Sequence, residues 1–474
     1  MWADVTDTWL VRTLFLKGLA VIYLVAFVSA LRQFRPLLGE RGLLPVPEFL
    51  ANVRFVEAPS VFVWRYSDRF FAVVAWAGTL LSAAALLGLL DHLPIALFVA
   101  LWLVLWFLYL SIVNVGQKFY GFGWESMLCE AGFFAAFLGP AYSEPSVIPV
   151  LLLRWMLFRV EFGAGLIKLR HDRCWRDLTC LYYHHETQPQ PNPLSWYFHR
   201  LPPAMHRGGV LFSHFVQLVC PFGLFLPQPV AAVAGAFIIV HQLFLIVSGN
   251  YSWLNWLTVV LGLTAFSDSV LLFSTPPVLA RPQAFDVVLQ ALAAFTVFLS
   301  IKPTLNMLSK RQRMNFSYNP LHLVNTYGAF GQVTKKRYEI VLEGTADGTH
   351  WQPYEFKAKP GDPMRRPPQV APYHLRLDWL MWFLPFSVMT YRSHAIVPGY
   401  EPWFLTFIAK LLEGDPGATG LLRHNPFPDS PPQRIRARYY HYRYTSRAER
   451  RETGAWWSRE LAGEYLPPVS PKDI

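Results

Sequence analysis

Residues 161–199 read EFGAGLIKLRHDRCWRDLTCLYYHHETQPQPNPLSWYFH. The stretch opens as the end of an apolar helix and runs, without a linker, into a loop dense in Arg, His, Trp, Tyr and Pro. Charged and aromatic groups this concentrated beside an apolar helix sit where water, lipid headgroup and protein meet. The flanking sequence says what the helix belongs to. Leu93 to Gln117 carries no formal charge, and between Gly208 and Ala280 Asp268 alone is charged. Runs of about 20 such residues are long enough to cross the hydrocarbon core as helices. Of all 474 residues, 15% are charged and 53% hydrophobic, against roughly 25% charged in soluble domains.

Residues 1–301 therefore read as an α-helical multi-pass membrane domain with a polar loop at 169–208. Candidate spans are 10–30, 70–90, 94–113, 124–139, 147–168, 209–226, 230–248, 254–273 and 285–301. The fourth is short and carries Glu125 and Glu130, a pattern that suits a re-entrant segment. Leu10 to Ala30 lacks the basic start and small-residue cleavage site of a signal peptide and reads as a retained first span. Nine spans put loops 31–69 and 169–208 and the C-terminal part on one side, and those loops hold most of the arginines of the first 301 residues. Taken literally, that bias puts them in the cytoplasm.

From Lys302 onward the chain is polar and holds +9 of the net charge of +11. Its basic residues are spread among acids and prolines, which argues against nucleic acid and for anionic lipid headgroups as partners. Tyr338–Glu343 and Trp351–Lys357 read as strands around the turn Ala346-Asp-Gly-Thr349, Trp403–Leu412 as an amphipathic helix and Ile435–Thr445 as another strand. Residues 302–446 form a small β-rich, sandwich-like domain in this reading, and 447–474 a charged tail with little order.

Arg154, Glu161 and Lys168 recur every seven residues, which on a helix returns each to within about 20° of the same face. Gly163, Ala164 and Gly165 let a neighbouring helix come close. The stripe either lines a polar cavity with Lys168 at its mouth as base or anion anchor, or is an internal ladder holding helices together. His184 and His185 are adjacent, a poor arrangement for one metal ion compared with an i, i+4 pair, and read as backbone-bonded histidines. No metal or cofactor is expected. Trp175, Tyr182, Tyr183, Trp196 and Tyr197 read as an interfacial aromatic belt or, with Arg176 and Asp177, as a partner-binding surface. Cys174 and Cys180 are close enough to pair if the loop faces an oxidising compartment, whereas Cys129 and Cys220 read as buried thiols. The sequence contains no G-x-S-x-G, P-loop, G-x-G-x-x-G or H-E-x-x-H motif, so nothing in it demands catalysis.

Several segments resemble the lipase maturation factor family in consistent order. They include Phe162-Gly-Ala-Gly-Leu-Ile-Lys-Leu169, Cys174-Trp-Arg-Asp-Leu-Thr-Cys180, His185-Glu-Thr-Gln-Pro189, Pro191-Asn-Pro-Leu-Ser-Trp-Tyr-Phe-His199, Tyr120-Gly-Phe-Gly-Trp-Glu125, Gly249-Asn-Tyr-Ser-Trp253, Leu323-Val-Asn-Thr-Tyr-Gly-Ala-Phe330 and Asn425-Pro-Phe-Pro-Asp429. The resemblance implies a non-catalytic folding factor that assists assembly of secreted lipases. It implies an endoplasmic reticulum membrane in a eukaryote, the plasma membrane in a bacterium, and a lumenal C-terminal domain that meets the client. The arginine bias and the resemblance agree on which segments share a side and disagree on which side it is. Gly165-Leu-Ile-Lys168 followed by Trp175 is loosely similar to the vitamin K-dependent carboxylase-like membrane domain. That likeness implies an alternative, an enzyme modifying a lipid or peptide through Glu161, Lys168 and His184 or His185.

Overall fold

The computed structural model describes residues 7–391 and 394–473; residues 1–6 at the head of the expected membrane domain and 474 at the end of the expected tail lie outside it. Helices occupy all nine positions read as spans: α1 (Trp9–Leu38), α2 (Asp68–Leu86), α3 (Ile95–Val115), α4 (Gly123–Ala135), α5 (Val147–Arg170), α6 (Pro203–Leu218), α7 (Val230–Ser248), α8 (Leu254–Gly262) and α9 (Gln283–Leu308). Five of them, α1, α2, α3, α7 and α9, are long and apolar enough to cross a bilayer. The other four depart from the nine-span expectation for physical reasons. At about 1.5 Å per residue, α4 with 13 residues, α6 with 16 and α8 with 9 fall short of the roughly 30 Å hydrocarbon core. α5 has the length, at 24 residues, but carries Arg154, Arg159, Glu161 and Lys168, all buried. Its charges face protein rather than lipid.

Consecutive helices run between two faces of the bundle. On one face the α1 start meets the 138–143 turn and Asp268: the Trp9 N–H donates to Asp268 at 2.7 Å and Arg12 donates to the carbonyls of Leu138, Ala141 and Ser143. On the other face Gln33, near the α1 end, donates to the His374 carbonyl at 2.7 Å, Asn114 at the α3 end donates to Pro320, and Asn250 after α7 donates to Pro191 and Pro368. Loops 31–69 and 169–208 and the C-terminal part thus lie toward the same face, as expected. α1 is built into the core: Phe15, Leu19, Tyr23 and Phe27 are fully buried and the Tyr23 hydroxyl donates to the Leu128 carbonyl. Gly78 and Gly132 let α2 and α4 approach it, since a Cβ at either would collide with Phe27 or Tyr23.

The C-terminal part holds a four-stranded antiparallel sheet of order β2-β1-β5-β6, from β1 (Arg337–Thr345), β2 (Gln352–Pro353), β5 (Arg434–Tyr444) and β6 (Trp457–Val469); β3 (Met389–Tyr391) pairs separately with β4 (His394–Ile396). The expected hairpin is present, with Glu343 opposite Pro353. So is the amphipathic helix α10 (Pro402–Leu412), whose Phe404 stands edge-on to Tyr465 of β6 and whose Phe407 lies beside Phe356. The four-stranded sheet and the β3–β4 pair make up the β-rich C-terminal region expected from the sequence. The expected tail is ordered. α11 (Arg447–Thr453) starts on a Ser446–Glu449 capping box and ends at left-handed Gly454, and β6 then pairs with β5 from Tyr444–Trp457 to Ile435–Val469.

Both glutamates of α4 sit in fully buried ion pairs that fix the bundle interior. Glu130 of α4 is paired with Arg159 of α5, and its carboxylate also accepts from the Asn325 N–H and side chain at 2.9 Å and the Tyr327 hydroxyl at 2.7 Å. Glu125 accepts from Arg376 at 2.7 Å. Removing one member of such a pair strands a charge, at a cost of about 3–5 kcal/mol. Glu130→Ala should lower unfolding stability in detergent by that amount, and joint replacement of Glu130 and Arg159 by Met should recover much of it. A loss under about 1 kcal/mol for Glu130→Ala would show that the carboxylate is not a structural node.

Candidate functional site

The polar stripe on α5 is real, but its members do not pair with one another. Arg154 donates to the carbonyls of Thr264 at 2.7 Å and Leu224 at 3.0 Å, satisfying backbone groups at two helix ends. Glu161 accepts from Gln217 at 3.2 Å and Gln242 at 2.7 Å. Lys168 donates to Ser213 at 3.1 Å and to Gln217 at 2.8 Å, with its ammonium 4.6 Å from the Trp175 ring centroid. Gln217 therefore stands between carboxylate and ammonium, giving its amide nitrogen to one and its oxygen to the other. Close contact is possible because Gly165 faces α6 and Gly163 faces the Tyr327 backbone, each without room for a Cβ.

Beyond α5, the loop turns back on itself. Cys174 and Cys180 form a disulfide with Cα atoms 4.8 Å apart, packed with Trp175, Val210 and Val333. His184 and His185 face different neighbours: His184 Nε2 is 2.8 Å from the Tyr251 hydroxyl, while His185 stacks on Phe198. Trp175 and Trp196, expected at a partner surface, are buried at 3% and 5% exposure. Each indole N–H reaches a carbonyl of the C-terminal half, Phe330 for Trp175 and Thr445 for Trp196, and burial of the rings follows. Tyr182 accepts from Arg207 and Tyr183 lies beside Lys335, both half-buried. Arg176, Asp177 and Tyr197 are exposed, with Asp177 paired to Arg173 at 3.1 Å and Tyr197 facing Arg450.

The loop is thus the socket for the C-terminal sheet. Arg337 at the start of β1 donates to the carbonyls of Glu186, Gln188 and Pro189 and pairs with Glu339 at 2.5 Å, which also meets Lys359 at 2.7 Å. In return the Glu186 carboxylate accepts the Tyr444 N–H at 2.8 Å, and Arg200 donates to the carbonyls of Tyr444 and Thr445. Next to this joint His374 sits in a box of Phe122, Trp124, Trp253 and Trp379, 3.8 Å from Glu125. In the sequence Glu125 and Glu130 stand out only as charges in an apolar segment. Their partners lie far along the chain, so no local spacing could reveal them.

Comparison with known proteins now places the molecule. Residues 10–273 match the lipase maturation factor transmembrane domain and residues 323–467 the lipase maturation factor C-terminal domain. The chain belongs to the lipase maturation factor family. It is 42% identical to lipase maturation factor 1 of Homo sapiens, an alignment covering 98% of this chain and 89% of that protein. It is 28% identical to lipase maturation factor 2 of Xenopus tropicalis, covering 97% and 82%. No solved structure matches. Both family regions meet at the socket just described, since the transmembrane match contains Glu186 and Trp196 and the C-terminal match contains Arg337 and Thr445.

Burial of neutral imidazoles makes this family member sensitive to acid. Desolvation pushes His199, His322 and His374 down to about 4 and His184 down to about 3, the last with Lys168 adding to the effect. These folded-state values lie below the unfolded value of about 6.5, so the unfolded chain takes up protons first. Stability is complete above about pH 6.5 and falls as pH drops toward 4, by up to about 1.4 kcal/mol per pH unit for each such group. Thermal melting at pH 7.5 and 5 should show the loss, and His374→Phe should make the profile shallower; an unchanged pH slope would contradict the assignment.

Proposed function

We propose that the chain is a membrane-embedded maturation factor that assists folding and assembly of secreted lipases or related enzymes, acting by contact rather than by chemistry of its own. The observation that carries this reading is the match of both family regions, in order, over nearly the whole chain, to proteins whose name is lipase maturation factor. The interior geometry supports it. The candidate catalytic pair is engaged within the protein: Lys168 by Ser213 and Gln217, Glu161 by two glutamines. A general base needs access to a substrate proton at hydrogen-bonding distance, and these contacts occupy that position. The carboxylase-like alternative has no support from the geometry or from the relatives.

The face bearing the loop and the C-terminal sheet lies, in this reading, in the oxidising lumen of the endoplasmic reticulum or outside a bacterial plasma membrane. The Cys174–Cys180 disulfide on that face supports this side, against the arginine count. Membrane lipid surrounds the apolar helices, and the client meets the exposed parts of the loop and sheet, including Arg176, Asp177 and Tyr197.

The test is expression of the full chain in cells lacking their own maturation factor, with a secreted lipase as reporter. Secreted lipase activity per unit of lipase protein should rise at least severalfold over cells receiving empty vector. Lys168→Arg should keep that activity. An inserted, stable chain that leaves lipase activity at background would sink the proposal, and loss of activity on Lys168→Arg with unchanged melting would point back to an enzyme.

A further inference from the structure

We infer that the notch between the 331–338 segment and the 382–386 turn is the docking point for an acidic client segment carrying one large aromatic side chain. The inference rests on the maturation-factor reading and names a place and a chemistry within it. The notch has a volume of about 230 Å³ and is walled by Trp382, Pro385, Phe386 and Tyr338, with Thr187, Thr334, Lys335 and Lys336 around it. That is below the roughly 300–1,000 Å³ of small-molecule pockets, and suits one inserted side chain.

Its walls are set before anything binds. The Trp382 indole donates to the Thr187 carbonyl at 3.1 Å, and Phe386 stands edge-on to Trp382 with centroids 4.7 Å apart. Tyr338 is held by stacking on Tyr439 at 4.8 Å. Preformed aromatic pockets are where interface energy concentrates, because an inserted anchor is fully desolvated without a cost of ordering the wall. The apolar surface continues outward through Phe383, Phe386 and Met389, exposed at 43%, 51% and 62%.

Charge selects the occupant. Lys335 and Lys336 are exposed and, among the described residues, neither ammonium has a hydrogen-bond or ion-pair partner; Lys335 lies 6.0 Å from the Tyr183 ring. Most of the other cations near this joint are spent: Arg337 on three carbonyls and Glu339, Lys359 on Glu339, Arg200 on two carbonyls. Two unpaired ammonium groups beside an aromatic notch favour carboxylates flanking the anchor. The notch is built from the socket loop and the sheet rather than from the outer surface of the apolar helices, which favours a protein segment over a lipid.

The test uses the purified full chain in detergent and a fluorescein-labelled nonapeptide with a central Trp flanked by Glu. Two controls replace the Glu residues by Lys or the Trp by Ala. Fluorescence anisotropy should show at least tenfold tighter binding of the acidic Trp peptide than of either control, weakening as salt rises. Lys335→Glu with Lys336→Glu, and separately Phe386→Ser, should each weaken binding at least fivefold with unchanged melting. Equal affinity for the Lys-flanked peptide, or indifference to both variants, overturns the inference. So does binding of phosphatidylserine vesicles through the same residues in place of the peptide. If wild-type chain binds the peptide but fails to raise lipase activity, the functional reading fails and the notch stands. If the charge-reversed chain loses the peptide yet matures lipase fully, the notch is not the client site.

Discussion

Buried charge that can be satisfied only across chain segments far apart in sequence is the constraint on which this structure turns. Arg376, fully buried, has the Glu125 carboxylate and the Phe119 carbonyl as acceptors, both from the bundle. Arg337 has three carbonyls of the 186–189 segment. Leaving either guanidinium without these partners would cost several kcal/mol, so sheet and bundle reach their low-energy state only together. The membrane part and the C-terminal part behave as one body with a shared polar seam.

That seam explains why so much polar sequence sits beside apolar helices. Gln188, Asn192, Ser195 and Asn250 close hydrogen bonds with one another's neighbourhoods and with Ser248, Pro191 and Pro368. Two tryptophans span the gap to carbonyls on the other side. A seam of this kind holds the C-terminal sheet rigidly against the helical bundle. A factor that acts by contact on a folding client gains from such rigidity, because surfaces that are already ordered lose less entropy on binding.

The helical half was legible in the sequence because an uncharged run of twenty residues has few alternatives in water or lipid. Gly163 and Gly165 told of close packing, and the Ala346–Thr349 turn told of a hairpin. What stayed hidden were pairings set by tertiary structure. Glu125 and Arg376 are 251 residues apart, and Trp175 and Trp196 look like an interfacial belt until their carbonyl partners are known. β6 was hidden for another reason: Arg459, Glu460, Glu464, Pro467 and Pro468 give it the composition of a solvated tail. Charge and proline of that kind also mark an edge strand guarded against further pairing, and β6 is the edge of its sheet.

The most direct measurement of the seam is cleavage of the connection it makes redundant. A protease site inserted between exposed Lys310 and Arg311 would separate the helical part from the sheet-bearing part, leaving every seam contact in place. After cleavage in detergent the two fragments should remain together through size-exclusion chromatography, and should part when Arg337→Ala and Arg376→Ala are combined. Fragments that separate at once in the otherwise unaltered protein would contradict the account, because the chain connection, rather than buried charge, would then be what holds the halves together.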